Sequence, residues 1–471
     1  MRNRSTRKIF EHLDVTDAGA KGKAIAKAPD GKVVFIPNAI PGDVVTVQTT
    51  KSRKAYYEAN AIEFHEYSKQ RVTPICKHFG TCGGCKWQHM AYGSQLFYKQ
   101  KEVEQNLLRI GGLDLPDTLP IIGAPEPYYY RNKMEYSFSN AKWLTKEEIE
   151  NNVAIDNKNA LGFHIPRFWD KILDLDECHL QDPLGNTLRL FIKDKAETLG
   201  LSFFDPRGQS GHLRTLMLRN TTKGQWMVLI QFYEDDAALR TGLLSAIADK
   251  FPEVTSLLYV INQKGNDTIY DQEVHCFKGT EYIVEQMGSL EFHINAKSFY
   301  QTNSVQAHHL YQVVRDFAQL SGHELVYDLY TGTGTIAQFV ADQAQKVIGI
   351  ESVPEAIEAA KANAKRNGID NVSFYVGDMK MLFTSAFIDA HGTPEVVITD
   401  PPRDGMHKDV VAQLLALGPQ RIVYVSCNSA TQARDLAMMK QDYKISKMQP
   451  VDMFPQTYHV ENVVLLEKIK A

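Results

Sequence analysis

The residues of this 471-residue chain best suited to chemistry gather in its last third. Asp328-Leu-Tyr-Thr-Gly-Thr-Gly-Thr335 lies between an expected strand and an expected helix, where glycines let the backbone pass close to a ligand. The next expected strand ends in Glu351, twenty-three residues after Asp328, where an acidic side chain can accept hydrogen bonds from ribose hydroxyls. Two further strands end in Val376-Gly-Asp378 and Asp400-Pro-Pro-Arg403. Carboxylates at successive strand ends line the carboxyl edge of a sheet, where open α/β sheets bind ligands. The loop lacks the third glycine of the dinucleotide fingerprint, and no Lys-Ser or Lys-Thr follows to grip phosphate. A ligand without phosphate, S-adenosylmethionine, is therefore expected on this edge.

Ser426-Cys427-Asn428 follows the fifth expected strand on the same edge. Cys427 stands at the mouth of the site and not inside the apolar run, which favours a reactive thiol over the inert buried cysteine. Glu461, in His459-Val-Glu-Asn-Val463, interrupts an otherwise apolar strand and is the candidate base. The two together fit carbon methylation of uracil. Thiolate addition at C6 makes C5 nucleophilic toward a sulfonium methyl group, after which a base removes the C5 proton and the thiol leaves.

Four of the six cysteines form a second constellation, Cys76-x5-Cys82-x2-Cys85 with the distant Cys178. Four thiolates suit either tetrahedral zinc or an iron–sulfur cluster. Three ligands on one glycine-rich loop and a fourth from far away depart from the two close pairs of a zinc finger, which favours a [4Fe-4S] cluster. With every position filled by thiolate, a structural or RNA-positioning role is expected. Cys276 is left over, and an inert thiol is expected there.

These residues need a scaffold, and the pattern along the chain predicts a multidomain α/β protein. Residues 1–66 read as short strands at 23–27, 32–36, 43–47 and 57–62 between glycine and proline turns, the spacing of a small OB-like barrel. Residues 67–300 read as a central mixed α+β domain holding the cysteine loop. It has helices at 94–110, 182–199 and 237–251, strands at 133–138 and 290–294, and a polar loop insertion at 141–158. Residues 301–471 alternate strand and helix in the rhythm of a Rossmann-like sheet. Strands are expected at 325–329, 346–350, 372–376, 395–399, 421–425 and 459–467, and helices at 336–345 and 354–367.

The net charge of −4 hides an uneven distribution, since residues 1–55 carry eleven Lys or Arg against five Asp or Glu. Such an excess at barrel turns, as in Lys51-Ser-Arg-Lys54, offers a footprint for RNA, although a solvated face is the commoner meaning. Tyr128, Tyr129, Tyr130, Arg131 and Lys133 are candidate stacking and phosphate contacts. No apolar run approaches a membrane span and the first residues lack a secretory h-region, so a cytoplasmic protein with no membrane and no obligate protein partner is expected.

The barrel segment resembles the TRAM domain, and nearly the whole chain resembles the RNA uracil-5 methyltransferases, specifically their 23S ribosomal RNA branch. Asp400-Pro-Pro-Arg403, Ser426-Cys-Asn428 and His459-Val-Glu461 stand in the family's order, and Ser298-Phe-Tyr-Gln-Thr-Asn303 is similar to its Phe-x-Gln-x-Asn segment. The resemblance implies that Cys427 is the nucleophile and Glu461 the base. It implies that Gln301, Tyr330, Thr335, Glu351, Asp378 and Asp400 contact S-adenosylmethionine. It also implies a [4Fe-4S] cluster on Cys76, Cys82, Cys85 and Cys178. Thr333 and Thr335 depart from the family pattern, with Asn found in relatives at the latter. A transfer RNA uridine needs the same chemistry. Two other classes stay open: an amino-group methyltransferase, given Asp-Pro-Pro, and a non-enzymatic iron–sulfur RNA-binding factor. The first has Arg403 where an aromatic residue would stack on the base, and both leave Cys427 and Glu461 without a task.

Overall fold

The structure is a computed structural model that describes residues 7–151 and 157–469. Residues 152–156 of the expected insertion, residues 1–6 of the basic N-terminal stretch and residues 470–471 lie outside the described residues. The rest of the insertion includes a short helix, Lys146–Glu150, opened by a capping box between Thr145 and Glu148.

The N-terminal unit is a closed barrel of Ile9–Gly19, Lys23–Lys27, Val33–Ile36, Val44–Ser52 and Tyr56–Glu66, with the last two exchanged in barrel order. Alternation sends Ala24, Ala26, Val34, Ile36, Val45 and Val47 inward. The first strand escapes the sequence pattern because its outer half is polar and its register shifts between Phe10 and Leu13. Buried Trp87 fastens the barrel to the central unit, packing with Ile40, Met90 and Tyr98 and donating its indole N–H to the Gly22 carbonyl at 3.3 Å.

A helix at Tyr92–Arg109 leads to a seven-stranded central sheet. Lys133–Ser139 lies inside this sheet beside Leu213–Asn220, and Phe168–Asp174 forms one edge. Helices Pro183–Thr198 and Ala237–Lys250 cover one face. A hairpin, Tyr282–Met287 with Leu290–Asn295, stands between this sheet and the last unit. Its Ile283 and Phe292 join Leu229 and Val260 of the central sheet to Leu310 and Val314 of helix Ser304–Ala318, so one apolar core continues past residue 300.

The last unit has seven strands: β1 (Leu325–Leu329), β2 (Lys346–Glu351), β3 (Val372–Val376), β4 (Val396–Thr399), β5 (Arg421–Ser426), β6 (Tyr443–Val451) and β7 (Glu461–Lys468). They lie in the order β3-β2-β1-β4-β5-β7-β6, parallel except for β7, which runs antiparallel to both its neighbours. The sequence pattern misses β6 because it is an edge strand with lysines and a proline, features that protect an edge and erase alternation. The expected helix at 336–345 is shorter, Thr335–Val340, followed by a 3₁₀ turn.

The link between β6 and β7 is tied to the central unit by buried polar bonds. Lys99 and Asp452 are both fully buried and pair at 2.6 Å. Asp452 also accepts from the Tyr92 hydroxyl at 2.9 Å, and Lys99 donates to the Phe454 carbonyl at 3.1 Å. Gln95 and Gln456 exchange two hydrogen bonds at 3.0 Å each. Replacing Lys99 by Met strands a buried carboxylate, and a loss of roughly 3 kcal/mol or more is expected in denaturant unfolding. Asp452→Asn added to Lys99→Met should recover part of it. A single-variant loss below about 1 kcal/mol would contradict this role.

Candidate active site

Three strand ends bring the expected reacting groups together. β5 and β7 pair Val425 with Val463 and Ser426 with Asn462, so the next residues in line are Cys427 and Glu461. Directly opposite residues of an antiparallel pair project to the same face. Cys427 is half-buried. It precedes Asn428, which caps helix Ser429–Met439 and donates to the Arg403 carbonyl at 3.0 Å, drawing the Asp400-Pro-Pro-Arg403 loop alongside.

The electrostatics are those of a carboxyl-rich edge on which no carboxylate has an ion-pair partner among the described residues. Burial pushes Glu461 up to about 8, with Asp400 raising it further and Arg403 opposing. Burial alone raises Asp400 to about 7. Burial also raises Asp328 to about 7; its hydrogen bond from Thr331 opposes this, and Asp400 and Glu351 add to the rise. Burial, then the charges of Glu461 and Asp400, hold the Cys427 thiol at about 11. Asp328 is fully buried with one carboxylate oxygen unpartnered. A cation on this edge would lower every one of these values. The sulfonium of S-adenosylmethionine supplies one, so the residues present fit that molecule.

The other expected cofactor contacts surround this edge. Tyr330 adopts a left-handed backbone with φ of 62°, unusual for a non-glycine residue, and its phenol lies near Asp378. Gly334, with φ of 74°, permits the turn into helix Thr335–Val340, and a Cβ there would meet the Phe374 ring at 2.6 Å. Thr335 bonds the buried Tyr311 hydroxyl at 3.1 Å, and the Gln301 side chain also reaches that hydroxyl. Glu351 accepts from the amides of Gly332, Ser352 and Val353 at 3.2, 2.7 and 3.1 Å. Asp378 is turned partly to local use, accepting from the Lys380 amide at 2.9 Å.

A cavity of about 780 Å³ adjoins the edge. Arg403 and His459 form part of its wall, as do Arg131, Lys133 and the exposed Phe299, whereas Cys427 and Glu461 do not themselves line it. Of the three expected tyrosine faces only Tyr129 is open, and its hydroxyl bonds His179 at 2.9 Å. The Tyr130 hydroxyl instead donates to the Pro455 carbonyl at 3.0 Å and helps hold the segment before Glu461.

Cys76, Cys82, Cys85 and Cys178 all line the same cavity. Backbone amides bond to Cys76, Cys82 and Cys178, and Gln88 donates to Cys85 at 3.2 Å. Burial raises all four thiols, Cys82 to about 11 and Cys85 to about 12. Yet among the described residues no three His, Cys, Asp or Glu side chains are grouped as they would be to hold a metal ion. The expected metal-ligating set is thus one shared cavity and not a closed ligand cage. Zinc draws its sulfurs to about 2.3 Å from one point, which this arrangement does not do.

Sequence reading left Lys99, Asp452, Gln456 and Arg219 without a role. Lys99 carried a signal, because it lies on the buried stripe Gln95, Lys99, Val103 of its helix. The others act through contacts far away in sequence.

Glu461 is protonated in the folded chain up to about pH 8, whereas an unfolded glutamate ionises near 4.5. The folded state thus binds the extra proton between those values, and stability falls as pH rises through that window. Glu461→Gln removes the effect, so its melting temperature relative to the unaltered protein should climb steadily from pH 5 to pH 8. A difference that stays flat would contradict the burial of this carboxyl.

Comparison with known proteins accords with this geometry. Residues 276–469 match the family model described as tRNA (Uracil-5-)-methyltransferase, and residues 11–62 match the TRAM domain. An uncharacterized RNA methyltransferase of Bacteroides thetaiotaomicron is 54% identical over 95% of this chain and 99% of its own length. One from Chlorobaculum tepidum is 39% identical over 97% of this chain and 96% of its own length. Among solved structures, the Pyrococcus abyssi tRNA (uracil-54, C5)-methyltransferase in complex with S-adenosyl-L-homocysteine superposes with a TM-score of 0.74. It is 28% identical and covers 96% of this chain and 100% of that one. The chain belongs to the RNA (uracil-5-)-methyltransferase family with a TRAM domain, and is an S-adenosylmethionine-dependent RNA methyltransferase.

Proposed function

We propose that the protein methylates C5 of a specific uridine in 23S ribosomal RNA, in the cytoplasm, with Cys427 as nucleophile and Glu461 as base. The observation that carries this reading is the strand register that sets a half-buried thiol opposite a buried carboxyl with no hydrogen-bond donor of its own among the described residues. Gln301, Tyr330, Thr335, Glu351, Asp378 and Asp400 would hold S-adenosylmethionine, which supplies the methyl group.

Cys427 loses its proton to solvent and its sulfur bonds to uracil C6, sending the ring electron pair toward O4. C5 then forms a bond to the methyl carbon as that carbon's bond to the sulfonium sulfur breaks. Glu461, ionised once the charge of the bound sulfonium has lowered its pKa, takes the C5 proton, the C6–S bond breaks, and the thiolate is restored. The target nucleotide must leave its stack to reach Cys427, and the cavity with Arg131, Lys133, Phe299 and Arg403 in its wall gives a flipped base and its phosphates a place. Barrel lysines would add affinity that falls with salt.

Cys76, Cys82, Cys85 and Cys178 would hold a [4Fe-4S] cluster that takes no part in these steps and shapes the wall the RNA meets. Aerobically and anaerobically purified protein should be compared for iron, acid-labile sulfide and absorbance near 400 nm. About four irons per chain in the anaerobic sample is expected, and zinc in their place would overturn the cluster.

A second reading, a transfer RNA uridine as target, is favoured by the likeness to the Pyrococcus abyssi enzyme along that enzyme's full length. Incubation with radiolabelled S-adenosylmethionine and separated 23S and transfer RNA decides between them. Label at one 23S uridine is expected, and label only in transfer RNA would overturn the substrate assignment. Cys427→Ala should abolish labelling, and Glu461→Gln should leave methylated RNA covalently attached to the protein. Full activity of Cys427→Ala would favour amino-group methylation instead.

A further inference from the structure

Residues 296–303 carry the chain from the hairpin to helix Ser304–Ala318 and bear Gln301 and Phe299, which is 67% exposed in the cavity wall. This segment belongs to no regular element, so its shape depends on what its carbonyls bond to. Those bonds come from strand Leu213–Asn220 of the central sheet and from Asn132, the residue just before the neighbouring strand Lys133–Ser139. Arg219, only 1% exposed, donates one guanidinium nitrogen to the carbonyls of Asn295 and Ser298 at 3.3 and 3.0 Å. Asn132, also buried, donates its side-chain amide to the Gln301 carbonyl at 3.0 Å and to the Ser304 hydroxyl at 2.8 Å. Its backbone amide donates to the Thr302 carbonyl at 2.9 Å.

The two residues are joined to each other as well. Asn220 donates its amide to the Asn132 carbonyl at 2.9 Å, and Lys133 pairs directly with Arg219 in the sheet. Arg219 has no carboxylate partner among the described ion pairs, and its second terminal nitrogen is buried without a partner. A buried cation whose main bonds go to two carbonyls of one loop is costly unless the loop's position is what it secures. Asn132 lies between Arg131 and Lys133, both in the cavity wall, so the entry to one strand serves the cavity and the Gln301 segment together.

We propose that Asn132 and Arg219 are positioning residues that set Gln301 for cofactor binding from the RNA-facing sheet. The inference rests on the proposed role of Gln301 as a contact of S-adenosylmethionine. Neither residue touches the reacting atoms. Their loss should appear in cofactor affinity measured in the absence of RNA.

The test uses the full chain and S-adenosylhomocysteine as probe, measured by titration calorimetry, with RNA binding followed separately and melting temperature as a check on folding. Asn132→Ala should weaken the probe about three- to tenfold and raise KM for S-adenosylmethionine with little change in kcat. Asn132→Ser, which keeps a shorter donor, and Arg219→Lys, which can still reach one carbonyl, should fall between Asn132→Ala and the unaltered protein. Folded variants that bind the probe as tightly as the unaltered protein would overturn the proposal. Gln301→Ala distinguishes the two assignments. If it weakens the probe and Asn132→Ala does not, positioning fails while the Gln301 assignment stands. If Gln301→Ala itself has no effect, the assignment of Gln301 fails.

Discussion

The antiparallel pairing of β5 with β7 is the constraint on which the site depends. Five parallel strands would present their loops along one edge with no reason for a thiol and a carboxyl to meet. The reversed β7 enters from that edge, so its first residue lies where β5 ends. Because side-chain direction alternates along a strand, a slip of one residue would turn Glu461 to the other face. The register is therefore guarded by packing: Val463, Val464 and Leu465 are all fully buried. It is guarded too by the bonds that hold the preceding segment, from Lys99 to Asp452, from Gln95 to Gln456 and from Tyr130 to Pro455. The central unit thus helps place Glu461 of the terminal unit.

The same placement has an electrostatic cost. Asp400, half-buried, lies close enough to raise the buried Asp328 and Glu461, and no Lys or Arg forms an ion pair with any of the three among the described residues. Neutralisation by protons is what the ligand-free chain does instead. A site so built is complementary to a cationic ligand, and it keeps the thiol protonated until one arrives. The charge of Arg403 opposes the rise at both Glu461 and Cys427, and Arg403 also faces the cavity.

Much of this could be read from the residues. The carboxylates, the glycine loop and Cys427 declare themselves at the ends of apolar runs and Glu461 by interrupting one, and the alternation of strand and helix places them on one edge. Two kinds of feature stayed hidden. The edge strand β6 and the first barrel strand carry polar and charged residues that blunt the pattern. Contacts between distant segments, such as Asn132 with Gln301 or Lys99 with Asp452, leave no local period at all. The tyrosine run shows the opposite failure, because adjacency in sequence suggested one aromatic surface while the backbone sends Tyr130 inward and leaves Tyr129 outside.

The central claim is that the thiol at the end of β5 becomes covalently bound to the uracil ring and that a proton must leave C5 for the bond to break. Target RNA carrying 5-fluorouridine puts at C5 an atom that Glu461 cannot remove as a proton. The direct measurement is the mass of the protein after reaction with that RNA and S-adenosylmethionine, followed by peptide mapping. One stable adduct per chain is expected, bearing the transferred methyl group and attached through Cys427. Free protein with no adduct, or an adduct at another residue, would contradict the claim.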